Sequence, residues 1–246
     1  MKLLSSPFKN KRSNGKLPEM NILARQTQLK TGGRLFLLLA LVLPAFGASV
    51  FAQAPTAASL AKQVDAHYNR LQSLQARYTE RYQGMGLDRT ETGSLTLRKP
   101  GRMRWAYDTP AGKLFILDGK DAISYTPGDA QAQRIPEKKL DDLRSPLRFL
   151  LGHTELAKEL DGLSLTVVNG GYTLSGTPKG MQQRVHSLAL TVDAAGAIRA
   201  MRIEETDGAV TTFNFADMRE NIPTRDSDFT FVPPSGVAIV DGAAPI

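Results

Sequence analysis

The side chains with the greatest chemical reach in this sequence are three histidines, an acidic pair and a knot of cations around one proline. They are His67, His153 and His186; Glu204-Glu205; and Arg98-Lys99-Pro100-Gly101-Arg102-Met103-Arg104. Histidines and carboxylates could ligate a metal or move a proton. A zinc site needs three or four ligands. Neither His67 nor His186 has a second His or Cys at ligand spacing, and His153 is followed by ordinary helix formers. Glu204 and Glu205 are neighbours on a strand-like stretch, so they point to opposite faces and make a poor acid–base dyad. No Gly-x-Ser-x-Gly, P-loop or His-Glu-x-x-His pattern occurs. The expectation is a protein with no catalytic constellation, no metal and no cofactor. The histidines are read as surface or satisfied side chains.

The cation knot has more to say. Leu95 and Leu97 alternate with Ser94 and Thr96, the period of a half-buried strand. Extending that parity places Lys99 on the apolar side, at the strand's end, with Arg98, Arg102 and Arg104 on the wetter side. Met103 and Trp105 fall on the apolar side across the turn. A lysine so placed either snorkels to water or donates hydrogen bonds to carbonyls near the mouth of an apolar space. Parity alone favours snorkelling.

The elements that would carry these residues are mostly strands. One helix comes first, over 55–75: Leu60, Val64, Tyr68, Leu71 and Leu74 recur at intervals of four, four, three and three. Thr56 or Ser59 can cap its start. The period then changes to two, as in Met103-Trp105-Tyr107, Leu188-Leu190-Val192 and Phe213-Phe215. Turn dipeptides separate these runs: Pro100-Gly101, Asp118-Gly119, Pro127-Gly128, Asn169-Gly170, Ala195-Gly196 and Asp207-Gly208. Roughly ten strands joined this way predict an antiparallel meander, curled into a barrel or part of one. Between Pro136 and Gly162 the pattern turns helical. Glu137–Leu143 is one candidate; Ser145-Pro146 starts a second, with Leu147, Leu150 and Leu151 as its stripe. Thr154 can cap a further turn. The natural resting place for these stripes is the concave side of the sheet, beside the first helix.

Charge is distributed unevenly. Of 31 Lys+Arg and 24 Asp+Glu, eight and one fall in residues 1–34, leaving 23 of each from Gln53 onward. The apolar run Leu35–Leu43 follows, ended by Pro44, then small residues up to Ala52; Pro44 and Gly47 break the stretch Leu35–Ala52. This predicts a cleaved secretory signal over 1–52 and one exported domain over 53–246, with Met20 as an alternative start. The high pI of about 9.7 then belongs to the leader, and no nucleic-acid partner is expected. The exported 194 residues suffice for a single core. With no cysteine, the chain cannot take a lipid anchor at a processed cysteine, so the exported form is expected to be soluble.

Five segments, in order, carry a resemblance. They are Lys99-Pro100 with Trp105-Ala106-Tyr107; Asp108-Thr109-Pro110; Leu117-Asp118-Gly119 with Tyr125; Ser145 to Gly152; and Phe229-Thr230-Phe231-Val232-Pro233-Pro234-Ser235-Gly236-Val237. The chain resembles the outer-membrane lipoprotein carrier family, LolA. It departs in having Lys99 where the family often has arginine, and Ile123 two residues before Tyr125 where the family commonly has tryptophan. The resemblance implies an α+β fold: a curved antiparallel sheet forming an incomplete β-barrel, its concave face covered by helices. It implies a periplasmic monomer that receives acylated lipoproteins from an inner-membrane lipoprotein-releasing ABC transporter and delivers them to the outer-membrane receptor LolB. The acyl chains would lie against Leu95, Leu97, Met103 and Trp105, under a lid bearing Leu147, Leu150 and Leu151, with Lys99 as the lid gate. A second implied class is a periplasmic lipid-sensing regulatory domain, although such a sensor normally carries a further domain.

Overall fold

The computed structural model describes residues 54–136 and 152–242. Helix α1 (Ala57–Asn69) leads into six strands: β1 (Ser73–Gly84), β2 (Leu87–Arg98), β3 (Arg102–Thr109), β4 (Leu114–Asp118), β5 (Asp121–Tyr125) and β6 (Gln131–Pro136). A single turn, α2 (Leu156–Glu159), precedes β7 (Leu160–Val168), β8 (Gly171–Pro178), β9 (Val185–Val192), β10 (Ile198–Glu205) and β11 (Val210–Glu220). A 3-10 turn (Asp226–Phe229) and β12 (Ala238–Asp241) close the described chain.

The N-terminus of α1 is closed by a reciprocal cap. The Thr56 hydroxyl accepts from the Ser59 amide at 3.1 Å, and the Ser59 hydroxyl accepts from the Thr56 amide at 2.9 Å. Two otherwise orphaned donors are satisfied. Thr56→Ala is expected to cost about 1 kcal/mol, a fall of roughly 2–4 °C in thermal midpoint. A midpoint unchanged in a melting experiment would show that the cap frays in solution. The helix stops at Asn69, short of the expected residue 75. Leu71 and Leu74 are buried all the same, in the connection and in β1. Their spacing mimics a helical stripe because both positions face the core.

All twelve strands belong to one sheet, in the order β12-β6-β5-β4-β3-β2-β1-β11-β10-β9-β8-β7. This corrects the expected incomplete barrel of purely antiparallel strands. The sheet is mixed, because β12 runs parallel to β6. It is open: β7 and β12 end the order without pairing to each other, and it is not rolled into a barrel. Of the expected helical cover, the two helices over 137–151 lie outside the described residues. Among the described residues only α1 and the one-turn α2 are α-helical. The turn dipeptides do lie between consecutive strands, but alternation within a strand reports which face is buried. It carries no information on whether two distant edges meet. Among the described residues no helix is long and apolar enough to cross a membrane.

One face of the sheet holds the main core. Leu60, Val64 and Tyr68 of α1 join Leu74, Tyr78, Leu95, Leu97, Met103, Trp105, Leu190 and Met201 in a single apolar cluster. On the other face, Ile123, Tyr125 and Ala132 form a smaller cluster covered by Phe231 and Val237 of the C-terminal segment. Phe229 is buried there too, with the Arg98 guanidinium 5.2 Å from its ring centre. Arg98 and Arg102 both reach Asp226, the latter at 2.9 Å. The C-terminal segment thus straps the outer face and supplies the edge strand β12.

Candidate functional site

The β2–β3 hairpin sets two apolar pairs side by side: Leu95 opposite Trp105 and Leu97 opposite Met103. All four are buried against α1's cluster. The predicted lid residues Leu147, Leu150 and Leu151, and both helices expected over 137–151, lie outside the described residues.

Lys99 ends the apolar row. Its backbone amide donates to the Gln72 carbonyl at 2.8 Å, which pins the strand end to the start of β1. Its ammonium donates to the Tyr68 carbonyl at 2.9 Å and to the Gly152 carbonyl at 2.6 Å. The first acceptor belongs to the last turn of α1, where carbonyls lack helical partners and the helix dipole favours a cation. One lysine therefore ties together the hairpin, the end of α1 and the segment that enters α2. Burial lowers its pKa from the ordinary lysine value.

A second fastening, which the sequence did not suggest, holds the same segment. Asn69 and Thr154 exchange hydrogen bonds: the Asn69 amide group donates to the Thr154 carbonyl at 2.9 Å, and the Thr154 amide donates to Asn69 Oδ1 at 2.8 Å. Asp65 Oδ1 accepts from the Thr154 hydroxyl and, at 3.0 Å, from the Leu156 amide. Thr154 was expected to cap α2. Instead it is fully buried and donates to α1, while Asp65 serves the α2 amide across the interface. The available signal was Asp65 and Asn69 at i and i+4, two poor helix formers on one side of a short helix.

Tyr68, Leu74, Leu95, Met201, Phe215 and Met218 border a cavity of about 10 Å³, the volume that admits one water. Tyr68 closes one wall, its hydroxyl accepting from the Ile198 amide at 3.1 Å; burial raises its pKa to about 12. An elongated apolar guest would require these walls to part.

The histidines form no centre. His67 is buried, with Nε2 2.7 Å from Glu220 Oε1. Glu204 pairs with Arg202, and Glu205 lies near Arg184. Among the described residues no group of three or more His, Cys, Asp or Glu could hold a metal.

The family profile described as outer membrane lipoprotein carrier protein LolA matches residues 69–232. The outer-membrane lipoprotein carrier protein of Nitrosomonas europaea is 26% identical over 191 residues, covering 76% of this chain and 91% of that protein. That of Cupriavidus necator is 27% identical over 201 residues, covering 76% and 90%. Among solved structures, a LolA superfamily protein from Nitrosomonas europaea covers 72% of this chain and 99% of its own, with a TM-score of 0.41 and 13% identity. With two thirds of the sequence inside the family profile, the chain belongs to the outer-membrane lipoprotein carrier (LolA) family, whose members are non-catalytic periplasmic proteins of lipoprotein traffic.

Proposed function

We propose that this protein carries the acyl chains of lipoproteins across the periplasm, holding them against Leu95, Leu97, Met103 and Trp105 and releasing them when Lys99 re-forms its contacts. The leader over 1–52 is removed and the domain over 53–246 does the carrying. The observation that carries this reading is the Lys99 ammonium on the Tyr68 and Gly152 carbonyls at the end of the buried apolar row Leu95, Leu97, Met103 and Trp105. Acyl chains gain about 0.8 kcal/mol per CH₂ removed from water, ample to part apolar walls. The polar contacts at Lys99 oppose opening. A carrier needs such an opposing term, because a cavity that only gained from filling would never give its cargo up. Leu147, Leu150 and Leu151 complete the cover in the loaded form. An inner-membrane ABC transporter supplies the cargo, and an outer-membrane receptor of the LolB type takes it.

The test is purification of the exported protein from the periplasm of a cell overproducing one lipoprotein, followed by intact mass spectrometry. The expected result is a complex with the acylated lipoprotein and a carrier N-terminus near Gln53. Free lipid without protein cargo would overturn the carrier reading in favour of a lipid sensor. Retention of Leu35–Ala52 in the functional protein would overturn the leader.

A further inference from the structure

Two inward-facing rows change character at the same level of the sheet. On β1 the row reads Leu74, Ala76, Tyr78, Glu80; on β2 it reads Leu97, Leu95, Gly93, Glu91. Register pairs Leu74 with Leu97, Tyr78 with Gly93 and Glu80 with Glu91. Toward Lys99 both rows are apolar; beyond Tyr78 both are acidic. Glu91 is buried and saturated with cations: Lys113 Nζ lies 3.0 and 2.7 Å from its two oxygens, and Arg89 Nε lies 3.3 Å from one of them. The Lys113 ammonium also sits 4.2 Å from the centre of the Tyr107 ring.

Tyr78 stands at the border. Its side chain is 2% exposed. The ring is wedged edge-on between Trp105, at 4.6 Å, and Tyr107, at 5.6 Å. The hydroxyl hangs over Gly93, where even a Cβ would come within 2.6 Å of it. No group meets it in hydrogen-bonding geometry, although the Tyr107 phenol is near enough to interact with it. Buried hydroxyls are nearly always paired, so an orphan asks for an explanation. Phenylalanine would fill the same space with no polar atom to satisfy. Burial pushes the Tyr78 phenol above its ordinary pKa, so it stays a protonated donor.

We propose that the Tyr78 hydroxyl is a binding group for the carbonyl of an acyl ester, setting how deep the chains of the cargo enter. Resting on the carrier reading above, the assignment orders an amphipathic guest along the sheet. The hydrocarbon lies toward Leu95 and Leu97, the ester carbonyl meets Tyr78, and the polar remainder leaves past Glu80, Glu91 and Lys113. Successive inward positions on a strand are about 7 Å apart, so the linkage sits one such step inside the ionic rim.

The experiment compares two probes on the full exported chain. One is a synthetic peptide whose N-terminal cysteine carries a diacylglyceryl group with two ester linkages. The other carries the same chains through ether linkages, which lack the carbonyl. The parent protein is expected to bind the ester probe roughly five- to tenfold more tightly, and Tyr78→Phe to bind both alike. The empty Tyr78→Phe protein should melt at or above the parent temperature, since no group meets the missing hydroxyl in hydrogen-bonding geometry. A preference for the ester that survives in Tyr78→Phe overturns the assignment while leaving the carrier reading intact. A clear fall in melting temperature also overturns it, because the hydroxyl would then serve the empty fold. Failure of the parent to bind either probe removes the acyl-binding reading, and the assignment with it.

Discussion

Lys99→Leu should load cargo and then hand it to the receptor about tenfold more slowly than the parent, while folding normally. The Lys99 ammonium makes two hydrogen bonds, to the Tyr68 and Gly152 carbonyls. Such bonds are worth about 1.5–3 kcal/mol each when well buried. Lys99 keeps some exposure, so water screens part of that; about 1.4 kcal/mol in total already gives tenfold. On the proposed carrier reading, loading breaks these bonds, so the substitution penalises only the unloaded state. Cargo is therefore retained. The fold is spared because the backbone bond from Lys99 to Gln72 does not involve the side chain. Lys99→Arg should remain competent, since a guanidinium brings more donors in a planar fork. Transfer of a labelled lipoprotein to purified receptor is the measurement. Normal hand-off by the leucine variant would mean that these two bonds do no gating.

Gly93→Ala should lose about 3 kcal/mol, roughly 6–12 °C in melting temperature. A Cβ built at Gly93 lies 2.2 Å from the Ala106 carbonyl oxygen and 2.6 Å from the Tyr78 hydroxyl. The first neighbour is backbone on β3, so no rotamer change relieves it. The β2–β3 ladder, whose register already shifts between Thr92 and Gly93, must slip or open. Gly86 is the informative contrast. It sits in the β1–β2 turn at φ 78°, with nothing within 4 Å of its would-be Cβ. Gly86→Ala should cost only the backbone strain of a left-handed conformation, about 1 kcal/mol. Urea unfolding of both variants checks the pair. A Gly93→Ala protein no less stable than Gly86→Ala would show that the ladder yields easily at this point.

What the sequence by itself determined here was local. The period-two runs and the turn dipeptides located the hairpins, because alternation and positive-φ turns are properties of a few adjacent residues. The apolar side of Leu95, Leu97, Met103 and Trp105 was legible for the same reason, and the family was legible in short ordered segments such as Phe229 to Val237. Wherever two distant stretches had to meet, tertiary structure alone decided. Leu71 and Leu74 fit a helical stripe, yet they belong to a connection and a strand, because burial constrains both identically. Thr154 had a plausible cap to make; Asp65, 89 residues earlier, takes its hydroxyl instead. The parallel seating of β12 on β6 joins strands 107 residues apart, as in Ala238 opposite Gln131, and the open order of the sheet depends on β7 and β12, which are also distant in the chain. The close approach of the Tyr78 hydroxyl to Gly93 likewise joins residues of two strands. Periodicity encodes the environment of each residue and not the identity of its neighbour. The orphaned hydroxyl and the carbonyls that receive Lys99 therefore became visible only once the chain was folded.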